Sequence, residues 1–129
     1  MQTTIIVALS LHILAATFWA GTTFVLARAG GKGADRLIGP QLGAATIAIL
    51  AGGYLGHLLH AGSFETPEKL LAAGAACALI AFLVQLLLAL SLRERTIDDI
   101  VISRMAAGER FAAILLAITT VCMAAARYA

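Results

Sequence analysis

The chain has 129 residues, 61% of them hydrophobic and 12% charged, with a mean hydropathy of +0.96 and a formal net charge of +2. A soluble domain of this composition could not cover its surface with polar groups, and the length leaves room for one domain only. So small a positive charge, spread among loops, points to no nucleic acid, whereas a lipid bilayer suits the composition.

The first apolar segment covers residues 4–27, long enough for the roughly 20 residues that a spanning helix needs. No Lys or Arg precedes Arg28, so the segment lacks the basic n-region of a removable signal peptide and is expected to stay as a transmembrane helix. It carries His12, and His12, Ala16, Trp19 and Thr23 fall on one helical face. An ionisable residue inside a span is a functional candidate by default. Arg28-Ala29-Gly30-Gly31-Lys32-Gly33 then stops the helix and anchors it at the headgroups.

The second segment is predicted over residues 38–60, with Pro40 in its first turn. Its end is rich in glycine and holds the other two histidines, His57 and His60, which share a stripe with Gly53 and Gly56. Such a stripe can be a wall for a flat ligand, or it can be the small-residue surface by which membrane helices pack closely. A short link through Phe64 makes the second and third segments antiparallel neighbours.

Thr66-Pro67-Glu68 reads as a helix start with Thr66 as N-cap, and the third segment covers residues 67–92. It includes Gln85, expected to hydrogen-bond between helices. After the polar stretch around Arg93, Glu94 and Arg95, Thr96 and Asp99 have the spacing of a capping box. Ile97, Ile100, Val101 and Met105 suggest an interfacial turn before a fourth segment over residues 105–127. Glu109 and Arg110, at its start, read as an ion pair at an exposed rim.

These runs are too long and too unalternating for barrel strands, so the fold class is all-α: an integral-membrane four-helix bundle, antiparallel up and down. Of the nine basic residues, Arg28, Lys32, Arg36, Arg93, Arg95, Arg104 and Arg110 group on one side, and Lys69 and Arg127 on the other. The positive-inside rule therefore puts both termini outside the cytoplasm, in an inner (plasma) membrane. It also puts His57, His60 and Lys69 at the outer end, with His12 in the outer half of its helix.

At 1.5 Å per residue, His12 lies about 12 Å inside the start of its helix and His57 about 5 Å inside the end of its own. Two imidazoles at one depth on facing helices could hold haem b, with His60 as a further metal-ligating candidate near the headgroups. Copper is the competing metal, because Cys77, Cys122 and Met123 belong to the same layer and soft sulfur suits Cu(I). Cysteine and methionine are also ordinary apolar fillers.

His12 followed by Trp19-Ala20-Gly21 at the head of a four-helix chain resembles the CopD copper-resistance membrane domain and the related HemJ-type protoporphyrinogen oxidases. Arg36-Leu37-Ile38-Gly39-Pro40, Lys69-Leu70-Leu71 and Arg104 with Gly108-Glu109-Arg110 extend the resemblance to the other helices. The HemJ-type resemblance implies haem b and catalytic roles for His12 and Lys69. Lys69 would meet a porphyrin propionate, unless it only snorkels at its helix end. The chain departs from that pattern, lacking a third-helix histidine after a tyrosine and a proline before the fourth helix, while His57 and His60 are additions. The CopD side implies copper handling.

The combined expectation is a b-type haem protein with a redox role on a porphyrin or a quinol. His12 and His57 would hold the iron, with Gly53, Gly56 and Trp19 about the ring. The alternatives are a copper-passing module and a structural subunit of a larger membrane complex; a homo-oligomer would suit four spans with so small an interior.

Overall fold

A computed structural model describes every residue except 61, 63 and 95. Ala61 and Ser63 of the second connection, and Arg95 of the basic third one, therefore lie outside the described residues. Four helices follow in order: α1 (Gln2–Arg28), α2 (Ala34–Leu59), α3 (Thr66–Glu94) and α4 (Asp99–Ala126). There is no strand among the described residues. Each helix is about 40 Å long at 1.5 Å per residue, more than the roughly 30 Å of a hydrocarbon core. All four are long and apolar enough to cross a membrane. Links of about five residues cannot run back along a 40 Å helix, so consecutive helices are antiparallel. The chain is a multi-pass, all-α membrane protein.

The distribution of side chains is that of a bundle in lipid. Ile6, Leu14, Leu50, Leu87, Ile114 and Val121 face outward, whereas Ala45, Ala48, Ala78, Ala81, Ala112 and Ala113 are buried. With lipid as apolar as leucine, helices associate through close packing, and alanine at the contacts lets their backbones approach. α3 packs most extensively on α4 and α1 on α2, while the α2–α3 seam is the sparsest of the adjacent pairs.

The helix boundaries differ from the sequence expectation, most of all at the starts of α2 and α4. α2 begins at Ala34 rather than 38, straight after Gly33 in a left-handed conformation (φ 85°). Pro40 therefore stands inside the helix, not in its first turn, and leaves the Arg36 carbonyl without its usual intrahelical donor. That carbonyl lies one turn from the helix start, near the headgroups, where water can serve it. α4 begins at Asp99, with Asp98 as N-cap: Asp98 Oδ1 accepts from Val101 N–H at 2.9 Å. The Thr96/Asp99 capping box does not form, and the expected interfacial turn is the first turn of one continuous helix. α3 begins at Thr66 itself, with Glu68 Oε2 accepting from Glu65 N–H at 3.0 Å.

The α1–α2 turn is as glycine-dependent as its sequence suggests. Gly30 (φ 65°) ends α1 in a left-handed step, and Gly31 N–H reaches back to Leu26 C=O at 3.0 Å, the long bond of a Schellman motif. Gly31 (φ 82°) lies so close to α4 that a Cβ there would stand 2.7 Å from Ile102 O.

Candidate functional site

The α1 face predicted from spacing is the inward one: His12, Ala16 and Trp19 line a cavity, and Thr23 is buried below it. The cavity holds about 150 Å³ and is half open to the outside of the bundle. All four helices contribute: His12 and Trp19 from α1, Gly52 and Gly53 from α2, Ala78 from α3, Thr119 and Met123 from α4. Its walls are mostly apolar, with a few polar groups, the usual composition of a ligand site.

His12 is fixed from two directions. Its Nδ1 lies 2.8 Å from Ala48 O, and a carbonyl can only accept, so Nδ1 donates. In its neutral form the ring then has a free lone pair on Nε2, the orientation that protein-bound imidazoles use when the other nitrogen serves a ligand. The ring lies against Gly52, where a Cβ would come within 2.8 Å of His12 Cε1. Gly52 is thus the seat of the histidine, which gives one glycine of the α2 stripe a specific task.

The remaining predicted residues distribute less compactly. Gly53 lines the cavity, and Gly56 is half-buried on α2 outside it. His57 is exposed about 6 Å further along α2 than Gly53 and does not line the cavity. His60, half-buried at the end of α2, has a buried Nδ1 without a partner. Lys69 is exposed in the first turn of α3, away from the cavity. Cys77 and Cys122 are free and half-buried, with Cys122 packed beside Gly74 where α3 and α4 approach closely. No group of three or more His, Cys, Asp or Glu side chains is placed to hold a metal among the described residues.

These placements do not fit a haem clamped between His12 and His57. One imidazole reaches the cavity, the other is exposed. A cavity on the order of 150 Å³ accepts a single benzene-sized ring, far less than a porphyrin.

Below the cavity is a polar cluster that the sequence only half discloses. Trp19 Nε1 donates to Gln85 Oε1 at 2.6 Å. Gln85 Nε2 donates to Thr23 Oγ1 at 2.9 Å and to Glu109 Oε2 at 3.1 Å. Gln41 Nε2 repeats the pattern, at 2.9 Å to Thr23 Oγ1 and 3.2 Å to Glu109 Oε2. Thr23 Oγ1 in turn donates to Trp19 O at 2.7 Å. Thr23, Gln41, Gln85 and Glu109 are all 0% exposed.

Gln85 thus bridges helices as expected, but Glu109 and Arg110 do not form a rim ion pair. Arg110 faces outward and Glu109 is enclosed by amides. The signal for this was periodicity. Met105, Glu109, Ala112 and Leu116 form one buried stripe of α4, and Ile38, Gln41, Ala45 and Ala48 one of α2. A polar residue in a stripe of small residues faces the interior, whatever its neighbour in sequence does.

Compared with protein-family models, curated proteins and solved structures, the chain has no significant match in any of the three.

Proposed function

We propose that the His12 cavity binds the ring of a membrane-borne quinol, with a quinol hydroxyl donating to His12 Nε2. The observation that carries this reading is the Nδ1–H bond to the Ala48 carbonyl, which leaves an acceptor nitrogen on a side chain that lines the cavity. Size supports a quinol over a porphyrin, because the space suits one six-membered ring. Apolar walls and the sparse α2–α3 seam suit a ligand that arrives from the bilayer. The resemblance of the His12 and Trp19 segment to HemJ-type and CopD membrane proteins agrees with a redox-related role in an inner (plasma) membrane.

The tautomer makes the proposal specific. Nε2 accepts and does not donate, so it pairs with the hydroxyl of a quinol and not with the carbonyl of a quinone. Binding of a short-chain benzoquinol and of its quinone, followed by quenching of Trp19, tests this, since Trp19 is the only tryptophan and lines the cavity. The quinol should bind about 10-fold more tightly, the worth of one good hydrogen bond, and His12→Ala should erase the difference. Equal affinities in the wild type would sink the reading. A visible spectrum with haem bands that depend on His12 would replace it by a porphyrin.

Copper is the second reading, favoured by one observation: Met123 lines the same cavity as His12, so that a thioether and an imidazole, both Cu(I) ligands, share one space. Cu(I) retained by the purified protein and lost in both His12→Ala and Met123→Leu would support it. Retention in either variant would reject it.

A further inference from the structure

The polar cluster below the cavity has a surplus that its own atoms cannot resolve. Every N–H and O–H in it is committed. Both hydrogens of Gln41 Nε2 and both of Gln85 Nε2 go to Thr23 Oγ1 and Glu109 Oε2, Trp19 Nε1 goes to Gln85 Oε1, and Thr23 goes to the backbone. Two acceptors are left over, Gln41 Oε1 and Glu109 Oε1, both buried and without a partner. An amide or a carboxylate oxygen can only accept. Whatever completes the cluster must therefore donate a hydrogen bond or carry positive charge.

Among the described residues, no side chain supplies that charge. Glu109 is bonded by Gln41 from α2 and Gln85 from α3, and these in turn by Thr23 and Trp19 from α1, none of which is ionised. The arginines nearest in sequence or at the same end of the bundle, Arg28, Arg36, Arg93, Arg104 and Arg110, are exposed, as are Asp35, Asp98 and Asp99. Lining up one carboxyl and neutral oxygens on four helices, about 8 Å along α1 from Arg28, creates an interior position that favours a small cation.

We propose that Glu109 and Gln41, held by Gln85 and Thr23, form a binding site for a single monovalent cation, H⁺ or Na⁺. It lies below the ligand cavity and is linked to it through Trp19. None of its ligating oxygens lines the cavity, so the proposal does not rest on which ligand the cavity takes.

Trp19 reports on it directly, since its indole N–H is bonded to Gln85, which is bonded to Glu109. The experiment uses the whole 129-residue chain in nanodiscs and follows Trp19 emission in two titrations. One adds NaCl against choline chloride at constant pH and ionic strength. The other varies pH without sodium in a His12→Gln background, so that no imidazole lines the cavity beside the same tryptophan.

A saturable response to Na⁺, lost in Glu109→Gln and retained with altered affinity in Glu109→Asp, is the result expected for a sodium site. A response to pH alone identifies the cation as a proton, provided that a carboxyl infrared band appears on acidification and is absent in Glu109→Gln. Either supports the proposal. A flat emission in both titrations of the folded wild type overturns it, and so does a response that survives in Glu109→Gln. That variant is expected to fold, because its amide brings the donors that the spare oxygens lack; helical circular dichroism and a monodisperse elution profile verify this. Should it not fold, Glu109→Asp and the wild-type titrations still decide.

Discussion

Gly52→Ala separates the position of His12 from the stability of the bundle. A Cβ at residue 52 would stand 2.8 Å from His12 Cε1 and 3.0 Å from Nδ1, so the ring must retreat by about 0.6 Å to reach ordinary contact at 3.4 Å. The atoms in the way belong to a side chain, not to a helix backbone, and the ring can swing. Swinging lengthens the 2.8 Å bond to Ala48 O, at a cost of about 0.5–1.5 kcal/mol. Replacing glycine by alanine inside a helix returns about 0.5–1 kcal/mol. The two nearly cancel, so thermal unfolding should change by no more than a few degrees. Ligand binding has no such compensation: with the Nε2 hydrogen bond misaligned, benzoquinol affinity, read by Trp19 quenching, should fall about 5- to 10-fold. Wild-type affinity in a folded Gly52→Ala protein would refute the claim that Gly52 seats a functional histidine. A protein that fails to fold would show that the helix backbones, not the imidazole, set the approach.

Other substitutions test other joints of the structure. Gln85→Leu removes the acceptor of Trp19 Nε1 and the donor to Thr23 and Glu109, and should destabilise the protein by about 2–4 kcal/mol by thermal or denaturant unfolding while shifting Trp19 emission. Gly31→Ala puts a Cβ 2.7 Å from Ile102 O at a φ of 82°, so a loss of about 1–3 kcal/mol is expected, and Gly39→Ala, with open space around it, serves as the control. Asp98→Ala removes the cap of α4 and should cost about 0.5–2 kcal/mol, with Asp98→Asn recovering most of it. The orientation proposed from the basic residues is read by a membrane-impermeant thiol reagent in a Cys77→Ala/Cys122→Ala background. Phe64→Cys should react in intact cells and Lys32→Cys only after lysis, and the reverse pattern would invert the topology.

Much of the fold is legible because lipid imposes simple rules. Four apolar runs of spanning length, separated by short polar links, admit little besides an antiparallel bundle, and the inward face of α1 followed from the spacing of His12, Ala16, Trp19 and Thr23. Helix ends were less legible, because Asp35 and Asp99 sit in first turns that hydropathy alone assigns to loops. The site was legible in parts that stand on one helix and illegible where two helices had to be placed in rotation. His57 shares a stripe with Gly53, yet it is exposed one turn beyond the cavity.

Glu109 shows the same point from the other side. Adjacent charges in sequence suggest a pair, but residues at i and i+1 point about 100° apart on a helix, so Glu109 and Arg110 never share a face. What placed Glu109 inward was its membership of the Met105, Ala112 and Leu116 stripe. What made it tolerable there was supplied by Gln41 and Gln85 on other helices. Tertiary partners of this kind leave a trace in sequence only as isolated polar residues among small ones. Gln41 beside Ala45, Gln85 beside Ala81 and Glu109 beside Ala112 are three such traces, and the structure brings them to one point.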